Sequence, residues 1–250
     1  MTLKKNRKKM IILNYTYPNP EHNLALDDAL LEWVNETQLS PILRLWEPLS
    51  PFVVLGRSRR IKAEVSIDSC LKDNVPILRR QSGGGTILQT SGCLNFCLVF
   101  PITTHPDLAF IKSTATFVLK KHIKMLQNIL PKLTIKGTSD LTIDNKKIAG
   151  HAQRRLKNAV LFHGSFLLDV NLEQISTYLA HPIDEPDYRS KRTHADFLTN
   201  CDISTDALIN AFKHGWNPTQ TWKSPNDFCT RLTEKIVNEK YRNESWNYQH

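Results

Sequence analysis

The chain has 250 residues, a net charge of +9, and ordinary apolar and charged fractions. There is enough apolar side chain to bury a sizeable core, which excludes a chain dominated by disorder. No stretch approaches the roughly 18 consecutive apolar residues of a membrane-crossing helix, so none is expected.

Much of the positive charge lies in the opening "MTLKKNRKKM". Residues 1–12 read as a basic tail, either simply solvated or used for targeting or nucleic-acid binding. The "IILNYTYPNP" that follows breaks too soon for the apolar region of a signal peptide. Residues 13–250 read as one domain. The segment "HNLALDDALLEWVNE" places Leu26, Ala29, Leu30 and Trp33 on one helical face, with Asn23 positioned as N-cap. "ILRLWEP" and "PFVVLGR" read as strands split by Pro48 and Pro51, "VSIDSCLKDN" as a short helix and "VPILRR" as a strand. After three glycines, "TILQ" and "CLNFCLVF" are strand-like again.

"DLAFIKSTATFVLKKHIKMLQNIL" predicts one long helix stopped by Pro131, and "SDLTIDNKKIAG" a hairpin turning at Asp144-Asn145. "NAVLFHGSFLLDV" predicts two strands joined at Gly164, and the remainder reads as helical pieces. Strands in the middle with helices on both sides predict an α+β fold, a mixed or antiparallel sheet covered by helices. Cys70, Cys93, Cys97, Cys201 and Cys229 form no CxxC pair, so neither a disulfide framework nor a zinc site is indicated. Reduced thiols in the cytoplasm are expected.

Three features point to chemistry. The first is "RRQSGGGTILQ", in which the three glycines form neither a Walker A loop nor a GxGxxG turn into a helix. The loop reads as a strand-to-strand turn. Its backbone N–H groups can cradle an anion, with Arg79 and Arg80 as bidentate partners for phosphate or carboxylate; a tight hairpin with solvated arginines is the alternative. The second is "KKIAGHAQRR", where alternation sends Lys146 and Lys147 to opposite faces and Gly150 permits close approach. A lysine on the inner face would neutralise an anionic substrate; two surface lysines are the alternative. The third is His163 with Gly164, interrupting an apolar strand, and Asp140 is a candidate magnesium ligand.

In this order the motifs resemble the lipoate–protein ligase A family, within the biotin/lipoate ligase and octanoyltransferase superfamily. The matching stretches are "NLALDDALL", "LRLWEPLSPFVVLGR", "RRQSGGGTILQTSGCLNF", "GTSDLTIDNKKIAGHAQRR" and "HGSFLLDV". The resemblance implies a biotin/lipoate ligase catalytic-domain fold, and a ligase that activates lipoate or octanoate with ATP as an acyl-adenylate. The acyl group then passes to a lysine of an acceptor lipoyl domain, of a 2-oxoacid dehydrogenase or the glycine cleavage H protein. It implies that Arg80 contacts nucleotide phosphate, and that Gly85, Thr86, Ile87 and Leu88 line the nucleotide. Lys147 would be the central catalytic lysine, Asp140 would sit at phosphate and magnesium, and His163 and Gly164 would border the adenylate. Gly83, Gly84 and Gly150 would leave room for lipoate. No tightly bound cofactor, nucleic acid or membrane is implied.

The chain departs from the family in having Gln89 where a histidine is common and Ser139 where an asparagine is common. It also ends where larger members continue into an accessory domain, which raises the prospect of a separate accessory polypeptide. The alternative is an octanoyl or lipoyl transferase that takes a carrier-bound or pre-activated acyl group. Transferases of this kind use a cysteine nucleophile, and none of the five cysteines matches their patterns. A nucleic-acid-binding role for "LKKNRKK" and "RSRRIK" lacks aromatic stacking partners.

Overall fold

The computed structural model describes residues 9–250. Most of the expected basic tail lies outside that range. Its last residues do not behave as a tail, because Met10 is buried and the first strand, β1 (Ile11–Asn14), starts there.

Eleven strands form two sheets among the described residues. After β1 come β2 (Ile42–Trp46), β3 (Phe52–Leu55), β4 (Ile77–Arg79), β5 (Ile87–Gln89) and β6 (Cys93–Pro101). They are followed by β7 (Thr134–Lys136), β8 (Asp140–Ile143), β9 (Lys146–Arg155), β10 (Ala159–Leu167) and β11 (Gln220–Trp222). The large sheet has the order β11-β1-β2-β6-β10-β9-β8-β7, and the small one β4-β3-β5. Both are mixed: β1 runs parallel to β2 and β11, β3 runs parallel to β4, and the remaining pairs are antiparallel. The α+β architecture expected from the sequence is therefore the one observed.

Helices cover both faces of the large sheet. They are α1 (Pro20–Thr37), α2 (Ile61–Glu64), α3 (Ile67–Lys72), α4 (Ile111–Leu126), α5 (Leu172–Tyr178), α6 (His194–Phe197), α7 (Thr205–Trp216), α8 (Asp227–Ile236) and α9 (Glu244–Asn247). The period-2 alternation of β6 explains the layering. Cys97 and Val99 pack with Leu26, Leu30 and Cys229 of α1 and α8, while Phe96 and Leu98 pack with Leu119, Leu208 and Phe212 on the α4–α7 side. None of the helices is long and apolar enough to cross a membrane.

Four local expectations are corrected. Helix α1 begins at Pro20, whose fixed φ suits the first helical position, so Asn23 lies one turn inside rather than at the cap. Its amide still serves the helix start, accepting from the Tyr17 N–H and donating to the carbonyls of Tyr17 and Asn19. The long helix predicted from Asp107 starts only at Ile111, because Phe110 is extended and a 3₁₀ turn (Pro106–Ala109) precedes it; it also ends at Leu126, before Pro131. The two strands predicted around Gly164 are one, since the ladder runs through Gly164 to Phe96 on one side and His151 on the other. The glycine loop is no tight hairpin, because β4 and β5 flank β3 and do not pair with each other.

Candidate functional site

A cavity of about 600 Å³ opens on the face of the large sheet where the small sheet takes over from α1. The pairing register builds its floor: His163 lies opposite Ala152, and Ser165 lies between Gly150 and Asn95. The walls come from the glycine loop and from residues 182–198. Arg80, Gly84, Gly85, Thr86, Ile87, Leu88, Asp140, Lys147, Gly150, His163 and Gly164 all line it; of the other singled-out positions, Gly83, Arg79 and Lys146 do not.

Lys147 enters from the start of β9, while Lys146 on the opposite face is exposed. The Lys147 Nζ lies 2.8 Å from Oδ1 of Asp140, on the neighbouring strand β8. Its path crosses Gly150, where a Cβ would come within 2.8 Å of both Cε and Nζ. Gly150 is thus the residue that lets the lysine lie flat along the sheet. The other Asp140 oxygen accepts a 2.8 Å hydrogen bond from the Tyr188 hydroxyl. Burial and then the Asp140 carboxylate push the Tyr188 phenol well up, so it remains a donor.

Both Asp140 oxygens are thus engaged within the protein, by Lys147 and Tyr188, and a magnesium ion held there would share Asp140 with substrate phosphates. The described residues hold no group of three or more His, Cys, Asp or Glu side chains able to share a metal ion.

The two adjacent arginines part company. Arg80 points inward and holds the glycine loop, donating to the carbonyls of Gly83 (2.7 Å), Gly85 (2.8 Å) and Val54 (3.3 Å) and to Ser82 Oγ (3.0 Å). Burial brings its guanidinium down to about 10, which still leaves it charged at neutral pH. Gly84 adopts φ +90°, a conformation that disfavours any side chain, and a Cβ there would also meet Arg80 Nη2 at 2.9 Å. At Gly83 and Gly85 a Cβ would meet no protein atom, so these two leave space open.

Arg79 is neither solvated nor available to an anion. It is fully buried and donates to the carbonyls of Gly56, Arg57, Arg59, Trp246 and Gln249. It therefore ties the C-terminal residues to the back of the loop.

Further polar groups complete the cavity. Arg59 bridges its two lips, donating to the Gly84 carbonyl and pairing with Glu64 and with Asp184 at 2.7 Å. Thr86 donates to Glu64. Gln89 and Asn95 exchange amide hydrogen bonds of 2.8 and 2.9 Å, so the glutamine that replaces a histidine is fully used in structure. His163 Nε2 is 2.7 Å from Ser82 Oγ, and its Nδ1 faces Asp27 Oδ2 at 3.8 Å. Asp27 is itself clamped by Arg44 Nη1 at 2.6 Å. Burial alone would raise the Asp27 carboxyl, but Arg44 and His163 outweigh it and hold it below its ordinary value.

Reasoning from sequence missed Tyr188, Arg59, Ser82 and Asp27. The one signal was an aspartate within the apolar pattern of α1, since a buried carboxylate needs a partner.

All five cysteines are buried, and none lines the cavity. Burial pushes the thiols up, to about 11 for Cys93 and about 12 for Cys201 and Cys229, with Cys70 and Cys97 also raised.

Comparison with known proteins matches residues 19–214 to the family model of the lipoyl protein ligase A/B catalytic domain. Octanoyltransferase LipM of Bacillus subtilis is 25% identical, over 92% of this chain and 95% of its own. Lipoate-protein ligase A of Psychrobacter cryohalolentis is 31% identical, over 84% of this chain and 62% of its own. Among solved structures, the bi-partite lipoate protein ligase of Thermoplasma acidophilum superposes with a TM-score of 0.82 at 26% identity, covering 96% of both chains.

Proposed function

We propose that this chain, which belongs to the lipoyl protein ligase A/B catalytic domain family, is an ATP-dependent ligase whose described residues act as one catalytic domain. It joins lipoate or octanoate to a lysine of an acceptor lipoyl domain. The observation that carries this reading is the absence of any cysteine from the cavity, together with the raised thiols. A thiol pushed above its ordinary value is a poor nucleophile at neutral pH, which weighs against a cysteine-dependent acyl transfer. A ligase needs no covalent nucleophile, only position and positive charge.

In the first step a carboxylate oxygen of the fatty acid attacks the α-phosphorus of ATP. The phosphorus–oxygen bond to pyrophosphate breaks, and an acyl-adenylate is left. Lys147 is the group for this charge. Its ammonium lies over Gly150 inside the cavity, restrained by the Asp140 carboxylate rather than free to wander. Arg80 shapes the loop beside it through the Gly83 and Gly85 carbonyls. Thr86, Ile87 and Leu88 follow on the same lip and fit a nucleotide lying along it. His163 and Gly164 border the acyl end.

In the second step the acceptor amine attacks the acyl carbon, the amide forms and AMP leaves. A net charge of +9 favours approach of an acidic acceptor domain. A separate accessory polypeptide can assist the activation step. The near full-length likeness to an octanoyltransferase supports a second reading, transfer from an octanoyl carrier protein.

Intact mass of an apo lipoyl domain separates the two. A lipoyl gain only with lipoate, ATP and magnesium is expected. An octanoyl gain only with octanoyl carrier protein and no ATP would replace the ligase by the transferase.

A further inference from the structure

The second step above leaves one proton unassigned, that of the attacking amine. A protonated lysine is no nucleophile, and the amide product carries one N–H fewer than the tetrahedral adduct. A group inside the cavity with a free basic lone pair meets this need.

His163 is placed and oriented for it. It lines the cavity on the same sheet face as Gly150, two residues along β10 from the position opposite it, about 7 Å at strand spacing. Its side chain is 18% exposed, so an incoming group can reach it. The surrounding network assigns its tautomer. Asp27, held ionised by Arg44, can only accept, so the single N–H of the neutral imidazole belongs on Nδ1, which faces it. Nε2 then carries the lone pair and accepts from the Ser82 hydroxyl at 2.7 Å. Arg80 agrees with this direction, because its Nε donates to Ser82 Oγ and leaves the hydroxyl proton for Nε2. The other titratable or charged groups around this network are Asp28 from α1, His151 and Arg154 from β9, and Tyr241.

Resting on the ligase reading, we propose that His163, oriented by Asp27, is the proton acceptor for the amine that attacks the acyl-adenylate. The amine N–H displaces the Ser82 hydroxyl as donor to Nε2. As the nitrogen–carbon bond forms, the proton passes to Nε2 and its electron pair stays on nitrogen. The tetrahedral oxyanion then re-forms the carbonyl, the acyl carbon–oxygen bond to phosphate breaks, and AMP leaves with the electron pair of that bond. The imidazolium so formed faces the Asp27 carboxylate and returns its proton to water.

The test measures the two half-reactions separately in the full chain: pyrophosphate release from ATP and lipoate, and transfer from synthetic lipoyl-AMP to a purified apo lipoyl domain. In His163→Gln, transfer is expected to fall about 100-fold or more beyond any loss in pyrophosphate release. The pH profile of transfer should change in this variant, which keeps only the rise that comes from deprotonation of the acceptor lysine. In His163→Gly, added imidazole should restore transfer, an outcome a purely structural histidine would not produce. Equal losses in both half-reactions, or an unchanged pH profile without rescue, would overturn the assignment.

Should neither variant fold, the titration of His163 followed by NMR in the wild-type protein must coincide with the kinetic rise, and a mismatch overturns it equally. A wild-type protein that releases no pyrophosphate and transfers nothing from lipoyl-AMP removes the ligase reading, and the base assignment falls with it. Pyrophosphate release with transfer unaffected by His163→Gln removes the base assignment alone.

Discussion

Acid should destabilise this protein through two histidines packed among aromatic rings on the α4–α7 side of the sheet, one of which, His151, also borders the cavity. His122 of α4 and His151 of β9 are packed among Phe96, Phe162, Phe166 and Phe212, with ring centroids 5.8 Å apart. His151 Nδ1 meets the Ser139 carbonyl at 2.6 Å, while its Nε2 and both His122 nitrogens have no hydrogen-bond partner. Burial drives His151 from 6.5 down to about 4, against the opposing pull of Ser139 and Asp140, and takes His122 well below its ordinary value.

The sign follows from linkage. Below 6.5 the unfolded chain takes up a proton at each site, and the folded chain does not until near 4 for His151. Stability is therefore intact above 6.5 and falls as pH drops through that window. At about 1.4 kcal/mol per pH unit, His151 alone costs about 2 kcal/mol at pH 5 and about 3 kcal/mol at pH 4 relative to pH 7. His122 adds to this in the same direction.

Urea unfolding at pH 7, 5 and 4 tests it, comparing wild type with His122→Phe/His151→Phe. Asp27 and Asp28 also titrate, but both proteins share them, so the difference isolates the histidines. The wild type should lose more stability than the variant by at least the stated amounts. Equal pH dependence in the two proteins would refute the reasoning.

The cavity and its support set further outcomes. Lys147→Ala should lower pyrophosphate release by two orders of magnitude or more with unchanged circular dichroism, and Lys146→Ala should leave it within about threefold. Gly150→Ala should act in the direction of the Lys147 variant, because the new methyl takes the space 2.8 Å from Cε and Nζ. A fully active Lys147→Ala would remove the lysine from the mechanism. Arg79→Ala should cost about 3–5 kcal/mol in urea unfolding, since it strips a buried cation from five carbonyls. The same change should speed carboxypeptidase trimming of the C-terminal residues, and an unchanged midpoint would contradict the tie described here.

Features that depend on neighbours a few residues away were legible along the chain alone. Alternation in "CLNFCLVF" decided which side chains face which helix layer, because pleating sends successive residues to opposite faces. Asp144 and Asn145 made the β8–β9 turn legible, and both do adopt positive φ, 47° and 63°. The same alternation separated Lys146 from Lys147. Only the tertiary structure decided between Arg79 and Arg80. Arg79 ends β4 and Arg80 follows it, but Arg79 meets Trp246 and Gln249 from the far end of the chain, and Arg80 meets the loop three to five residues on. Tyr188 on Asp140, and Asp27 behind His163 and Ser82, were illegible for the same reason. A buried polar group must find a partner, but which partner depends on how strands far apart in sequence are laid side by side.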